Sequence, residues 1–367
     1  MELPAENELT LLPEMSFVLA SLERDVAKAK KRIWIETYIY RDDVLGRTFA
    51  DKLAAAVKRG VEVRLLYDAL GSHETDTRFF DELRARGIDA RAFRPLDVIL
   101  RSGMWPRDHS RVVVIDDAGY SGGAAWGNEW LPKAKGGLGW HEVCVRVHGP
   151  CIADYRRVFE RRWAEAGSVD AGRWVHDGVA YGDVELVIDT PEKRNLVYEK
   201  HCDRIAQAKR RVWLENAYFA PPRRFIEALL AAAARGVDVK VIVPKDTDLP
   251  LVTHAGRARY ASWIERGIEI YEYRPAMVHA KFAVVDDDWA TIGTFNANPT
   301  SLRWAMEANL IVHRPAFVSE VSALFVSDRE KSDLVTQETL ASLSRVDTWK
   351  DRAARKVLDW VERGAAA

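Results

Sequence analysis

Two segments of this sequence carry side chains that could do chemistry at a phosphate. The first is His109-Ser110-Arg111, then four apolar residues, then Asp116. The second is His279-Ala280-Lys281, then four apolar residues, then Asp286. On a strand, alternate side chains share a face, so His109 lies beside Arg111 and His279 beside Lys281. Imidazole titrates near pH 6.5 and serves as nucleophile, base or acid. A fixed cation beside it neutralises anionic oxygens. A carboxylate recurs downstream of each motif, Glu142 in the first and Glu307 in the second. After the second motif, Gly293-Thr294-Phe295-Asn296 adds a hydroxyl and an amide, and Asn296 has N–H groups to offer a phosphate oxygen. A single H-x-[K/R]-x4-D motif arises in roughly one chain in twenty at ordinary residue usage. Two copies at matching points, each followed by a glutamate, are not a chance result. The aspartates that close the motifs stand at strand ends, where a carboxylate suits holding the turn or the neighbouring strand.

The motifs belong to an internal duplication. Arg32-Ile33-Trp34-Ile35-Glu36 returns as Arg211-Val212-Trp213-Leu214-Glu215. The run from Ala54 to Val63, centred on Gly60, returns from Ala231 to Val239, centred on Gly236. Arg86-Gly87-Ile88 returns as Arg266-Gly267-Ile268, and the offset stays at roughly 170–180 residues. Each copy predicts a helix (about 14–31 and 193–210), an apolar strand ending in Glu36 or Glu215, and a second helix running to Gly60 or Gly236. A strand follows (61–67 and 237–243), then a third helix and a strand (88–93 and 268–273). The copies end in strands at 112–116 and 142–147, and at 282–286 and 307–312. Alternating helices and strands imply a parallel or mixed sheet covered by helices. The organisation expected is a first half over 1–170, a second over 171–320 and a helical C-terminal tail over 321–367, with a glycine-containing hinge near 166–183.

Composition narrows the class. The chain has 367 residues, 48% of them apolar, enough for two packed cores. Lys plus Arg total 54 and Asp plus Glu 55. That balance argues against nucleic acid as the partner, because such affinity rests on basic excess. Three cysteines without C-x-x-C spacing argue against a disulfide framework or a structural zinc, and fit buried thiols in a reducing compartment. The acidic N-terminus does not read as a signal peptide, and no run of eighteen apolar residues predicts a spanning helix.

The paired motifs resemble the duplicated H-x-K-x4-D of the phospholipase D superfamily. The second copy matches fully. The first has Arg111 in place of lysine, and Ser121-Gly122-Gly123-Ala124-Ala125-Trp126 lacks the asparagine that Asn296 supplies in the second. Ile35-Glu36-Thr37-Tyr38, Arg107-Asp108-His109 and the run from Gly293 to Ser301 make the chain most similar to the cardiolipin synthase branch, in its short form without membrane helices. The resemblance implies two pseudo-twofold-related α-β-α sandwich halves with mixed sheets, plus C-terminal helices. It implies a catalytic set of His109, His279, Arg111, Lys281, Asp116, Asp286, Glu142 and Glu307, with phosphate held by Arg111, Lys281, Asn296 and Thr294. His109 would attack phosphorus to give a phosphohistidine and His279 would protonate the leaving alkoxide. Glu142 and Glu307 would each bond the far nitrogen of a histidine. No metal or other cofactor is called for.

The motif residues do not choose between a phospholipid and a nucleic acid. Trp105, Trp126, Trp130 and Trp140 cluster around the first motif, and glycines 136, 137 and 139 make 127–139 read as a mobile loop. Tryptophans there suit a wet–apolar interface or the core between halves. Arg84, Arg86, Arg91, Arg94, Arg101 and Arg107 are candidates to line an anion-binding side. In the tail, Trp349, Ala353, Val357, Trp360 and Val361 recur at helical spacing, a face for a membrane surface or for docking on the protein. The reading is a phosphatidyltransferase of cardiolipin synthase type with hydrolysis as a side reaction. Its substrate would be a phosphatidylglycerol-like phospholipid. It would be cytoplasmic, peripheral at the inner membrane surface, and active as a monomer. The alternatives are a soluble phosphodiesterase or nuclease of the superfamily, and a catalytically weakened lipid-binding protein.

Overall fold

The computed structural model describes residues 3–95, 106–167, 174–176 and 178–365. Trp105, Arg101 and residues 168–173 and 177 of the expected hinge lie outside the described residues. The chain forms two compact units that do not simply follow the duplication. The first holds Met1–Arg194 together with Ile292–Thr294 and Ala305–Ile311. The second holds Asn195–Thr291, Phe295–Trp304 and Val312–Ala367. Two short pieces of the second repeat are therefore built into the first unit.

In the first unit, strands β1 (Glu8–Leu12), β2 (Arg32–Thr37), β3 (Glu62–Asp68), β4 (Asp89–Phe93), β6 (Val113–Ile115), β7 (Ala118–Gly122) and β8 (Cys144–His148) form one sheet in the order β1-β8-β7-β6-β2-β3-β4. β2, β3 and β4 run parallel, and β6, β7, β8 and β1 are antiparallel neighbours, so the sheet is mixed. Helices α1 (Met15–Lys28), α2 (Val44–Lys58), α3 (Thr77–Ala85) and α4 (Ile152–Gly167) accompany it. Parallel strands covered on both faces must be apolar throughout. Ile33, Ile35, Leu65 and Leu66 accordingly have no exposed surface. α2 starts where the Asp43 carboxylate accepts from Gly46 N–H at 3.0 Å and stops at Gly60, whose φ of 87° suits glycine. The two-residue strand β5 (Arg107–Asp108) pairs in parallel with β16 (Ala305–Met306), which belongs to the same unit. β17 (Ala308–Val312) follows directly. β9 (Val179–Tyr181) and β10 (Val184–Ile188) form an antiparallel hairpin.

In the second unit, β18 (Ser332–Leu334), β13 (Ile268–Tyr273), β12 (Asp238–Pro244), β11 (Arg211–Asn216) and β14 (Lys281–Val285) lie side by side in that order. β11, β12 and β13 are parallel and β14 is antiparallel to β11, the same arrangement as β2, β3, β4 and β6. β15 (Trp289–Gly293) follows β14. The helices are α5 (Leu196–Ala206), α6 (Arg223–Ala234), α7 (Pro250–Glu265), α8 (Pro299–Trp304), α9 (Pro315–Glu330), α10 (Gln337–Ala341) and α11 (Arg345–Ala365). α11 packs along α7, with Asp351 accepting from His254 at 2.6 Å and from Arg257 at 2.9 Å. No helix among the described residues is long and apolar enough to cross a membrane.

Three expectations are corrected. Trp126 and Trp130 are buried in the first core, with Trp126 stacked on Phe49 at 3.9 Å, and do not face an interface. The 127–139 loop is closed on itself by main-chain bonds, including Leu138 N–H to Asn128 C=O and Gly139 N–H to Leu131 C=O. Its glycines serve that closure: a Cβ at Gly137 would stand 2.0 Å from the Leu131 carbonyl oxygen. The arginines do not make a free basic side either. Arg84, Arg86 and Arg91 pair with Asp81, Asp51 and Asp89, and Arg107 is buried against Asp68 at 2.8 Å.

Candidate active site

Each motif begins just before a central antiparallel strand, and the same local device fixes both. The strand ends in an aspartate with left-handed backbone, φ 49° at Asp116 and 55° at Asp286. The Asp116 carboxylate accepts main-chain N–H groups of Lys30, Lys31 and Arg32 at 2.8–2.9 Å. Asp286 accepts those of Lys209, Arg210 and Arg211 at 2.8–3.3 Å. Burial alone would raise the Asp286 carboxyl, but these main-chain bonds outweigh it and hold it below the ordinary carboxylate range. The motif groups both aspartates with the catalytic set. Their carboxylates are committed to backbone, which sets the start of β2 or β11 against the motif strand.

In the first unit the histidine is held from below. His109 N–H donates to the Met306 carbonyl at 3.0 Å, an extension of the β5–β16 pairing. That pairing brings Glu307 to the ring: His109 Nδ1 and Glu307 Oε2 are 2.8 Å apart. A carboxylate only accepts, so Nδ1 carries a proton, and in the neutral ring the lone pair is on Nε2. Glu307 is itself oriented. Thr294 Oγ1 donates to the same Oε2 at 2.6 Å and accepts from Ala308 N–H at 2.8 Å. The sequence puts the Thr294 hydroxyl on a phosphate; its proton goes instead to Glu307. Behind the glutamate, Glu307 N–H donates to Asp189 Oδ2 at 3.2 Å, and the Asp189 carbonyl accepts from Arg162 at 3.0 Å. The Arg111 guanidinium is buried, donates to the His109 carbonyl at 2.8 Å and lies 3.3 Å from Nε2. Glu142 is fully buried within reach of Gly123 N–H at 3.3 Å and Trp130 Nε1 at 3.4 Å.

In the second unit the motif has the same internal form. Buried Lys281 donates through Nζ to the His279 carbonyl, as Arg111 does to that of His109. Asn216 uses both ends of its amide on the loop after β15, donating to the Phe295 carbonyl at 3.0 Å and accepting from Ala297 N–H at 3.1 Å. Asn296 lies between those two anchor points. It is buried, and its Oδ1 has no partner among the described residues.

Two side chains were not singled out for the site. Tyr38 stands edge-on to His109 at 4.9 Å and Tyr218 edge-on to His279 at 6.0 Å. Burial, helped by the Asp68 charge, pushes the Tyr38 hydroxyl up to about 12. The signal was in the duplication, since each follows Glu36 or Glu215 by two or three residues. A buried acid pair, Glu36 and Asp108, also lies next to the first histidine. Burial and the Asp108 charge raise Glu36 well above its ordinary range, and burial raises Asp108 to about 6 against the pull of Arg162. Arg162 Nε is 3.7 Å from each carboxylate.

Comparison with known proteins agrees with this arrangement. The family described as "Cardiolipin synthase, PLD-like domain" matches residues 22–163 and 201–329, one match in each repeat. Cardiolipin synthase B of Salmonella typhimurium is 34% identical over 329 residues, covering 85% of this chain and 78% of that protein. Cardiolipin synthase B of Escherichia coli strain K12 is 32% identical over 323 residues, covering 84% and 76%. A solved phosphatidylserine synthase of Haemophilus influenzae shares the fold with a TM-score of 0.73 at 16% identity, over 100% of this chain and 95% of that one. With both repeats matched and a duplicated histidine–cation motif in place, the chain belongs to the cardiolipin synthase family of phospholipase D-like proteins.

Proposed function

We propose that this protein is a phosphatidyltransferase of cardiolipin synthase type, acting on phospholipid phosphodiesters with hydrolysis as a side reaction. The observation that carries the chemistry is the His109–Glu307 contact, which in the neutral ring puts the proton on Nδ1 and makes Nε2, beside a buried cation, the nucleophilic nitrogen. The cardiolipin synthases at 34% and 32% identity carry the choice of phospholipid over nucleic acid.

In this reading His109 and His279 act on one phosphodiester. His109 Nε2 attacks phosphorus, the P–O bond to the leaving alcohol breaks, and His279 gives that oxygen its proton. The hydroxyl of a second lipid or a polyol then attacks the phosphohistidine. His279 takes its proton, the P–N bond breaks, and the enzyme returns to its starting state. Arg111, Lys281 and Asn296 offset the charge on the non-bridging oxygens. One chain contains every residue the cycle needs. The substrate is phosphatidylglycerol-like, and the protein works as a peripheral protein at the inner membrane surface. Thin-layer analysis of products from phosphatidylglycerol tests the reading. A diphosphatidyl product with some phosphatidic acid is expected. Untouched phosphatidylglycerol together with cleavage of a DNA oligonucleotide would overturn it.

A further inference from the structure

Helix α11 has two apolar faces and uses one of them on the protein. Ala354, Leu358 and Val361 are buried, and the ion pairs of Asp351 with His254 and of Asp359 with Arg259 fix the helix along α7. Val346, Trp349, Val357 and Trp360 are 61%, 68%, 46% and 67% exposed. At ~100° per residue these four form one stripe, roughly 110° around the helix from the docked face, with the two tryptophans three turns apart. α7 runs parallel to α11, since His254 meets Asp351 and Arg259 meets Asp359. Exposed Leu249 and Leu251, at the start of α7, therefore lie at the Trp349 end.

The charges beside the stripe distinguish its occupant. Arg345, Arg352 and Lys356 flank one side and are exposed, with no carboxylate in ion-pair distance among the described residues. Lys350 and Arg355, off that flank, pair with Asp347 and Asp359. Lysine is depleted from the cores of protein interfaces. Tryptophan flanked by Arg and Lys is instead the composition of helices that lie in a lipid interface. Two-fold pairing of two copies on this face would bring unpaired bases together, whereas an anionic surface neutralises them.

We propose that the outer face of α11 is a docking surface for an anionic bilayer, with Trp349 and Trp360 entering the interface and Arg345, Arg352 and Lys356 meeting lipid phosphates. The proposal rests on the phospholipid-substrate reading and gives it a surface of approach. The test is flotation of the full chain with vesicles of phosphatidylglycerol in phosphatidylcholine, and of phosphatidylcholine alone. Trp349→Ser/Trp360→Ser is expected to lower partition onto both vesicles about tenfold or more. Arg352→Glu/Lys356→Glu is expected to lower it ~25-fold or more on the anionic vesicles only. These side chains are exposed, so circular dichroism should show unchanged helix content. Equal flotation of wild type and variants, or no flotation of wild type, overturns the proposal. So does a wild-type dimer in sedimentation that the tryptophan variant converts to monomer, which would make the face a self-interface. Turnover of short-chain, monomeric phosphatidylglycerol keeps the two readings separable. Wild type and variants should turn it over equally, and wild-type flotation without that turnover would sink the chemistry while leaving the surface standing.

Discussion

His109 and Glu307 stand 198 positions apart in the chain and 2.8 Å apart in space. The glutamate of the second repeat thus serves the histidine of the first. Their meeting depends on a two-residue strand pairing, Ala305 with Arg107 and Met306 with Asp108. The duplication is therefore functional as well as architectural: neither repeat carries a complete histidine–carboxylate pair for His109.

Glu307 acts through His109, so it is a positioning residue whose loss should appear in turnover. Glu307→Gln keeps the size but cannot fix the tautomer or stabilise an imidazolium. By analogy with the buried carboxylate of a Ser-His-Asp triad, kcat should fall by ~10³–10⁴ with KM nearly unchanged. Thr294→Val removes the hydroxyl that orients Glu307 and should cost about tenfold in kcat. Steady-state kinetics on phosphatidylglycerol reads both. A change confined to KM would place these residues in substrate binding.

Arg111→Lys restores a point charge where the first motif carries a planar fork. The guanidinium lies 3.3 Å from His109 Nε2, so a rate change is expected, and an unchanged rate would remove Arg111 from contact with phosphate.

Asp116 and Asp286 should report stability rather than chemistry. Asp116→Ala forfeits three main-chain hydrogen bonds to a charged acceptor and puts alanine at φ 49°. A loss of ~2–4 kcal/mol is expected in denaturant unfolding, with kcat of the remaining folded protein within about twofold. Asp116→Asn, which tolerates the left-handed region, should lose less.

The buried pair Glu36 and Asp108 makes a pH prediction. Burial raises Asp108 to about 6, above its unfolded value. Between about pH 4 and 6 the native chain then holds a proton that the unfolded chain has released, so stability falls as pH rises through that window. Thermal melts from pH 4 to 7 should show wild type losing on the order of 2 kcal/mol more than Asp108→Asn. Parallel curves would contradict the assignment. Arg162→Leu, which leaves both acids without their cation, should destabilise by ~3–5 kcal/mol near neutral pH.

Much of this was legible in the residues. The apolar runs at 32–37 and 211–216 and the helix-ending Gly60 and Gly236 locate the central parallel strands almost to the residue, because buried parallel strands admit few polar side chains. β1, β9 and β10 were not foreseen. β1 and β9 are short edge strands, ELTLL and VAY, largely open to solvent and without a continuous apolar signal, whereas β10, VELVI, is buried and its apolar run is short and broken by Glu185. In the site, the histidines, cations and glutamates were readable from the repeat itself. Which glutamate serves His109 was not, since no spacing encodes a pairing between distant segments. Whether Trp126 and Trp130 face an interface or a core could not be read, because a tryptophan beside glycines looks the same whether the chain turns it outward or into the core. The tail's helical spacing was visible, but not that Val361 docks while Trp349 and Trp360 stay in water.

The most direct measurement is capture of the covalent intermediate. His279→Asn protein, mixed with phosphatidylglycerol and quenched in mild alkali to preserve a phosphoramidate, should carry a phosphatidyl group on the peptide containing His109, and His109→Asn protein should carry none. A label on His279, or a label retained when His109 is replaced, would contradict the assignment of nucleophile and acid.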